Sequence, residues 1–277
     1  MPPRAPALRF ALGGVALAIH DPCGLGAEVW SSWAPYAAPP DAPPDAWSLT
    51  LIPLGAPAPL GAPSYARGDL RVWLAPERRA AVAAVDGSWG AAEAGAQVTL
   101  QRALRAAGGL LVHASGAVRA GAGGAEEGWL IPGPSGAGKS TAAREGGFAR
   151  VLTDEMVAVR LRADGGVDLH PTPFWSEGRD AARFPLQVRP APLALIALPR
   201  KDARPRLAPV GAAEAARALL RCVASYEEGR EAHAALLELA CAVAERAPCA
   251  ALHFPKAGPW LERLAEEERP TPSPRGT

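Results

Sequence analysis

The sequence has few cysteines and few lysines, and neither sign of charge dominates it. No two cysteines have the C-x-x-C spacing of a zinc or redox site, and no cluster of His and Cys suggests zinc. We therefore expect buried free thiols. The four cysteines are Cys23, Cys222, Cys241 and Cys249. The three lysines, in a chain rich in arginine, are Lys139, Lys201 and Lys256.

The charge balance and the hydropathy pattern exclude several classes of partner. A net charge of +1, from 29 basic and 28 acidic residues, gives no general attraction to nucleic acid or to an acidic membrane. No apolar run reaches the ~18 residues of a transmembrane helix, and the first residues lack the apolar segment of a signal peptide. We therefore expect a cytoplasmic protein with no nucleic-acid or membrane partner. The length of 277 residues suggests one large or two small domains.

What the sequence does contain is a phosphate-binding motif, G-x-x-x-x-G-K-[ST]. Its residues are Gly133, Pro134, Ser135, Gly136, Ala137, Gly138, Lys139 and Ser140, and Thr141 follows. In such a loop the glycines allow backbone N–H groups to point at a phosphate, the lysine reaches the β- and γ-phosphates, and the serine hydroxyl binds Mg²⁺. The alternative is a glycine-rich loop without a ligand. We predict an ATP site with Mg²⁺ bound by Ser140.

The segments around the motif have the order that the motif requires. The apolar run Trp129–Ile131 predicts a strand before the loop, and Thr141–Glu145 predicts a helix after it. A second short strand, Val151–Thr153, ends at Asp154 and Glu155, only 14 residues after Ser140. Ligands lie at the carboxyl ends of strands in α/β sheets. One acid could therefore organise the metal and the other could accept a proton, although a solvated turn is the alternative.

His113 lies in the apolar run Leu110–Val118, which we predict to be a strand paired with Trp129–Ile131. A histidine in such a strand is more often a core residue. Since the neighbouring strand leads to the phosphate loop, a phosphate contact is the second interpretation.

The rest of the chain predicts a β-rich part over residues 1–95, a P-loop domain over 96–269 and a disordered tail over 270–277. Further strands are predicted at Leu8–Leu12, Val15–Ile19, Trp47–Ile52, Leu70–Leu74, Arg79–Val85, Met156–Arg162, Val167–Leu169, Leu193–Leu198 and Ala250–Phe254. Helices are predicted at Ala27–Trp33, Val98–Ala107, Ala212–Cys222, Arg230–Arg246 and Trp260–Glu268. The polar loop Lys201–Arg206 is a candidate for contact with the nucleotide base.

The stretches Leu111–Gly116, Gly133–Thr141 and Leu152–Glu155 resemble the HPr kinase/phosphorylase family, and more closely its divergent HPr-kinase-like relatives. The resemblance implies an α/β fold with a mixed sheet, like the P-loop core shared with ATP-dependent PEP carboxykinase. It implies that Asp154 is the catalytic base and that Glu155 lies near the metal. It also implies that His113 lies beside the phosphates. The family's Glu-x-Arg-Gly-Leu-Gly signature is absent, and Pro171–Pro185 occupies that region.

These observations predict an ATP- and Mg²⁺-dependent kinase in which Lys139 stabilises the transferred phosphoryl group. The acceptor is the hydroxyl of a serine in a protein or peptide, or of a small molecule, and an oligomer is compatible with the resemblance. One alternative is a nucleotide-binding accessory or regulatory protein with little phosphotransfer. Another is phosphoryl transfer coupled to decarboxylation, for which the chain looks too short.

Overall fold

A computed structural model describes residues 8–39, 46–59, 61–176 and 185–267. Over these ranges the protein is a mixed α/β structure with two mixed β-sheets. The predicted tail at 270–277 and parts of the predicted loops at 37–46, 53–63 and 171–185 lie outside the described residues.

The first sheet has six strands in the order β1-β2-β3-β6-β5-β4. They are β1 (Leu8–Leu12), β2 (Val15–His20), β3 (Trp47–Pro53), β4 (Tyr65–Arg67), β5 (Leu70–Ala75) and β6 (Ala80–Val85). Strands β2, β3 and β6 run parallel, and the other neighbours are antiparallel. Two short apolar runs around Gly13 and Gly14 predict a hairpin, and the structure confirms it. Both glycines have positive φ, of 60° and 71°, as a two-residue hairpin turn requires. Strand β4 was not predicted.

Helix α1 (Ala27–Ser32) is followed by helix α2 (Trp89–Ala106), which contacts both sheets. Ser88 caps α2, because its Oγ accepts a hydrogen bond of 3.2 Å from the backbone N–H of Ala91. The prediction of a helix over 98–107 was therefore too short. The helix runs across residue 95, the point at which the sequence analysis divides the chain.

The second sheet has eight strands, and its pairings close on themselves. They are β7 (Gly109–Ala120), β8 (Glu126–Pro132), β9 (Arg150–Thr153), β10 (Met156–Leu161), β11 (Val167–His170), β12 (Ala191–Lys201), β13 (Arg206–Pro209) and β14 (Cys249–Phe254). The order is β11-β10-β7-β8-β12-β14-β13, with β9 on β7 and a further pairing of β11 with β12. Strand β12 is parallel to β8 and β14. The predicted pairing of β7 with β8 is confirmed.

Four helices accompany this sheet. They are α3 (Lys139–Glu145), α4 (Ala212–Leu220), α5 (Arg230–Glu245) and α6 (Trp260–Glu267). Helices α4 and α5 pack on each other and α5 packs on β7, whereas α6 places Trp260 against Trp129, Phe148 and Phe254. The four predicted helices here are confirmed, with ends shifted by one or two residues.

An aromatic cluster joins the first sheet to a segment that borders the second. Trp33 is fully buried and its ring lies 5.6 Å from Phe10, 5.1 Å from Trp30 and 5.4 Å from Phe174, measured between ring centroids. The Tyr36 hydroxyl donates a 2.7 Å hydrogen bond to the carbonyl of Thr172. Large aromatics in a small β-rich part are usually core, which predicts that Trp30, Trp33, Trp47, Trp73 and Trp89 are buried. This prediction is confirmed for Trp30, Trp33 and Trp47, whereas Trp73 is half-buried and the prediction was wrong for Trp89, which is exposed at the start of α2. The segment at 172–176 is held by this core.

The cysteines are free thiols, as predicted, but they are not all buried. Cys222 is buried, Cys241 and Cys249 are half-buried, and Cys23 is exposed, so the expectation of burial was wrong for Cys23. Cys23 lies in a turn between β2 and α1, where the chain has no apolar layer to cover it.

His170, at the end of β11, should make the fold sensitive to acid. Burial lowers the pKa of His170 from 6.5 to about 4. The unfolded chain therefore binds this proton more tightly than the native state does. The contribution to stability is fully present above pH 6.5 and is lost as the pH falls towards about 4, by up to ~3 kcal/mol. Denaturant titrations across this range should show that His170→Gln removes this part of the loss.

The control for that experiment is His233→Gln on the exposed face of α5. An acid dependence that is the same in wild type and in His170→Gln would contradict the assignment of the buried neutral ring.

Candidate functional site

The glycine-rich loop lies between a strand and a helix, in the order that the sequence predicts. Strand β8 ends at Pro132, the loop follows, and α3 begins at Lys139. Gly136 and Gly138 have φ values of 77° and 95°, which residues other than glycine rarely adopt. A Cβ at Gly138 would also lie 2.9 Å from the ring of Phe254. Glycine is therefore required at 138 both by the backbone and by the close approach of β14.

The loop forms one wall of a cavity of about 920 Å³, called here the P-loop cavity. Among the predicted nucleotide-binding residues, those that line it are Ser135, Gly136, Gly138, Lys139, Ser140 and Thr141. Gly133, Pro134 and Ala137 are not among its described lining residues. His113 and Glu155 line the same cavity, so the structure brings together most of the residues that the sequence singles out.

All three lysines of the chain line this cavity. Lys139 is buried and its Nζ donates a 3.3 Å hydrogen bond to the carbonyl of Pro134. Burial lowers the pKa of Lys139, while the negative charge of Glu155 opposes that shift. Lys201 is the last residue of β12 and Lys256 follows β14. The three lysine ammonium groups of the chain thus lie around the loop.

His113 and Glu155 form a pair on neighbouring strands. His113 faces Met156 across β7 and β10, and the backbone N–H of Ala114 donates to the carbonyl of Glu155 at 3.0 Å. This register brings His113 Nε2 to 3.2 Å from Glu155 Oε1. The hydrogen bond from His113 lowers the pKa of Glu155, and the charges of His113 and Lys139 add to that effect. His113 is 31% exposed, so the interpretation of a core histidine was wrong.

Asp154 has a different environment from Glu155. Its side chain is fully buried and lies 2.6 Å from Nη2 of Arg144 on α3. It also accepts hydrogen bonds from the backbone N–H and the hydroxyl of Ser176, at 3.1 and 2.7 Å. Asp154 and Glu155 form the bend between β9 and β10, and their side chains lie in different surroundings. Asp154 is not among the described residues that line it, whereas Glu155 is.

Every second residue of the segment at 172–176 is hydrogen-bonded to β9, to β10 or to the bend between them. The Thr172 hydroxyl donates to the carbonyl of Met156, and the Thr153 hydroxyl donates to the carbonyl of Phe174. Together with the two bonds from Ser176 to Asp154, these contacts hold the segment beside the P-loop cavity. Ser176 lines that cavity and was not predicted as a site residue.

Phe254 and Lys256 also line the P-loop cavity and were not assigned a role from the sequence, and Asp202, from the loop predicted to contact the nucleotide base, lines it as well. Asp202 is a half-buried residue directly after β12, and its carboxylate lies 3.0 Å from His253 Nδ1. The predicted loop at 201–206 is shorter than expected, because β12 ends at Lys201 and β13 begins at Arg206. The sequence signal for this wall was the predicted strand Ala250–Phe254, which Lys256 follows by two residues.

A bound Mg²⁺ would have few protein ligands here. Among the described residues there is no group of three or more His, Cys, Asp and Glu side chains that could enclose a metal. Mg²⁺ usually keeps several waters and is bound by one or two protein groups together with substrate phosphates. Ser140 and Glu155 line one cavity, and Ser140 Oγ lies 3.4 Å from the carbonyl oxygen of Asp154. The residues present therefore fit a phosphate-assisted Mg²⁺ site.

A family model described as SynChlorMet cassette protein ScmC matches residues 94–266. This range is more than half of the chain and includes the loop, His113, Asp154 and Glu155. The chain belongs to the ScmC family. The first sheet of this ScmC-family protein precedes the matched range. A comparison with curated proteins found no match. Within the part of the chain that the structure describes, no helix combines the length and the apolar character needed to cross a membrane.

Proposed function

We propose that this protein is an ATP- and Mg²⁺-dependent kinase that transfers the γ-phosphoryl group to a hydroxyl. The acceptor is a serine of a protein or peptide, or a small molecule. The observation that carries the proposal is the P-loop cavity itself, in which the three lysines and a histidine–glutamate pair surround a glycine-rich loop. The resemblance to HPr-kinase-like proteins, with their P-loop core, supports the same conclusion.

The charges of the cavity suit a triphosphate. Lys139 emerges from the loop, and Lys201 and Lys256 approach from the neighbouring strands β12 and β14. Three ammonium groups around backbone N–H donors would neutralise the charge of the β- and γ-phosphates without a reorganisation of the protein. A volume of about 920 Å³ lies within the ~300–1,000 Å³ of cofactor sites. Use of ATP also fits the cytoplasmic location that the sequence predicts.

Ser140 would hold Mg²⁺ directly, and Glu155 would contact the ion only through water, because a carboxylate bound to the metal could not also accept a proton. When bound, the ion supplies charge stabilisation to the β- and γ-phosphate oxygens. Lys139 supplements it at the same oxygens.

We assign the proton acceptor to Glu155, whereas the family resemblance implies Asp154 as the catalytic base. Its carboxylate faces the cavity, and His113 orients it through the 3.2 Å contact. In transfer, the acceptor hydroxyl gives its proton to Glu155 as its oxygen bonds to the γ-phosphorus. The bond from that phosphorus to the β–γ bridging oxygen then breaks, and ADP leaves. Asp154 is a positioning residue, because it joins Arg144 on the P-loop helix to Ser176.

Calorimetry should show that the protein binds ATP with micromolar affinity in the presence of Mg²⁺. Addition of EDTA should weaken that binding, because the metal bridges the phosphates. ADP release should then rise when a suitable hydroxyl acceptor is added. ATP binding without ADP release on any peptide or small-molecule acceptor would favour the nucleotide-binding accessory protein, and absence of ATP binding would contradict both functions.

A further inference from the structure

A second cavity, of about 400 Å³, lies beside the P-loop cavity and is called here the aromatic cavity. Its lining includes the aromatic side chains of Tyr36, Trp89 and Trp175, and the carboxylate of Glu93. Among the described residues that line it, none carries a positive charge. Trp89 is 45% exposed, although large aromatics of this chain are mostly buried.

The two cavities adjoin where the chain passes from residue 175 to residue 176. Trp175 lines the aromatic cavity, and the next residue, Ser176, lines the P-loop cavity. Glu93 and Glu155 are close enough for the negative charge of Glu155 to raise the pKa of Glu93. A molecule in the aromatic cavity would therefore lie next to the P-loop cavity, which Glu155 lines.

Within the part of the chain that the structure describes, no basic side chain pairs with Glu93. It lies one turn after Trp89 on α2, is half-buried, and has no salt-bridge partner among the described residues. Burial raises the pKa of Glu93, and a hydrogen bond from Trp89 opposes that shift. A desolvated carboxylate beside aromatic rings is the environment that binds an organic cation, because the ring faces and the carboxylate both attract positive charge.

We propose that the aromatic cavity binds an ammonium or guanidinium group carried by the phosphoryl acceptor. The inference rests on the proposed kinase function and names the chemical class of its substrate, a hydroxyl compound with a nearby positive charge. Trp89 and Trp175 would contact the cation, and Glu93 would neutralise it. The hydroxyl, a few bonds away, would then lie near Glu155.

The test compares cations with neutral molecules of the same shape, in the full chain. The first pair stands for a small amino alcohol and consists of the cation choline and its neutral analogue 3,3-dimethyl-1-butanol. The other pair is acetyl-Arg-Ser-amide and acetyl-citrulline-Ser-amide, which represents a peptide. At least one cation should quench tryptophan fluorescence and bind about tenfold or more tightly than its neutral twin. The pair that shows the larger difference identifies the source of the cation.

Glu93→Gln should remove about tenfold or more of that cation affinity and leave ATP affinity unchanged. Glu77→Gln, at an exposed glutamate between β5 and β6, is the matched control and should change neither. Equal affinity for the cation and the neutral twin in both pairs, or a cation affinity that Glu93→Gln does not alter, would overturn the inference. Cation binding without ADP release would leave the cavity assignment intact and count against the kinase.

Discussion

Replacement of Lys139 by alanine is expected to reduce phosphoryl transfer by at least ~100-fold, which corresponds to about 3 kcal/mol of transition-state stabilisation. Lys139 is buried in the wall of the P-loop cavity, and among the described residues its ammonium donates one hydrogen bond, of 3.3 Å, to the carbonyl of Pro134. It is therefore available to a phosphate oxygen, and alanine would remove a charge-assisted contact from a site with little water. ATP affinity should fall as well, since the ground-state phosphates use the same contact.

The measurement is calorimetry with ATP and Mg²⁺, followed by turnover with an accepted hydroxyl compound. Lys201→Ala and Lys256→Ala are the matched variants, because both lysines line the same cavity but neither belongs to the loop. Their effects should be smaller than that of Lys139→Ala. Circular dichroism should confirm that the variants are folded. ATP affinity and turnover that both match wild type in Lys139→Ala would remove the loop from the proposed function.

Local sequence patterns predicted the loop and its flanking elements because each depends on neighbouring residues. The glycines at 136 and 138 are required by positive φ, and the strand and helix around them follow from short apolar and helix-forming runs. The hairpin at Gly13 and Gly14 was predicted for the same reason. The prediction failed where apolar and polar residues do not alternate with a clear period. The first two turns of α2 are mainly alanine and glycine, which give no periodic apolar face, so the helix start was missed.

The walls of the two cavities could not be derived from the sequence, because they depend on tertiary pairing. Phe254 and Lys256 reach the loop only because β14 lies next to β12. Glu93 and Trp175 meet in one cavity although α2 and the segment at 172–176 are far apart in the chain. The direction of each acidic side chain after β9 was likewise undetermined. A one-residue shift in the bend at 154–155 would exchange the buried and the cavity-facing carboxylate.

Glu155→Gln is expected to lower transfer by roughly 10²–10⁴-fold while ATP still binds, because glutamine keeps the shape of the side chain and cannot accept the proton. The hydrogen bond from His113 is the chief reason why the pKa of Glu155 lies below its ordinary value of 4.5. The carboxylate therefore stays ionised to a lower pH than a free glutamate does. The acidic limb of the pH–rate profile should therefore lie below that pH in wild type and be absent from the residual activity of Glu155→Gln.

Asp154→Asn is the matched comparison, and it should act on stability more than on proton transfer. It leaves the guanidinium of Arg144 facing a neutral amide in a buried position, which is expected to destabilise the fold by ~3 kcal/mol. It also weakens the hold on Ser176, so the KM for the acceptor should rise more than kcat falls. Denaturant unfolding and steady-state kinetics of the two variants separate these roles. If Asp154→Asn abolished transfer with normal stability, while Glu155→Gln retained wild-type transfer, the base would be Asp154 and the burial of its carboxylate would have to be relieved when substrates bind.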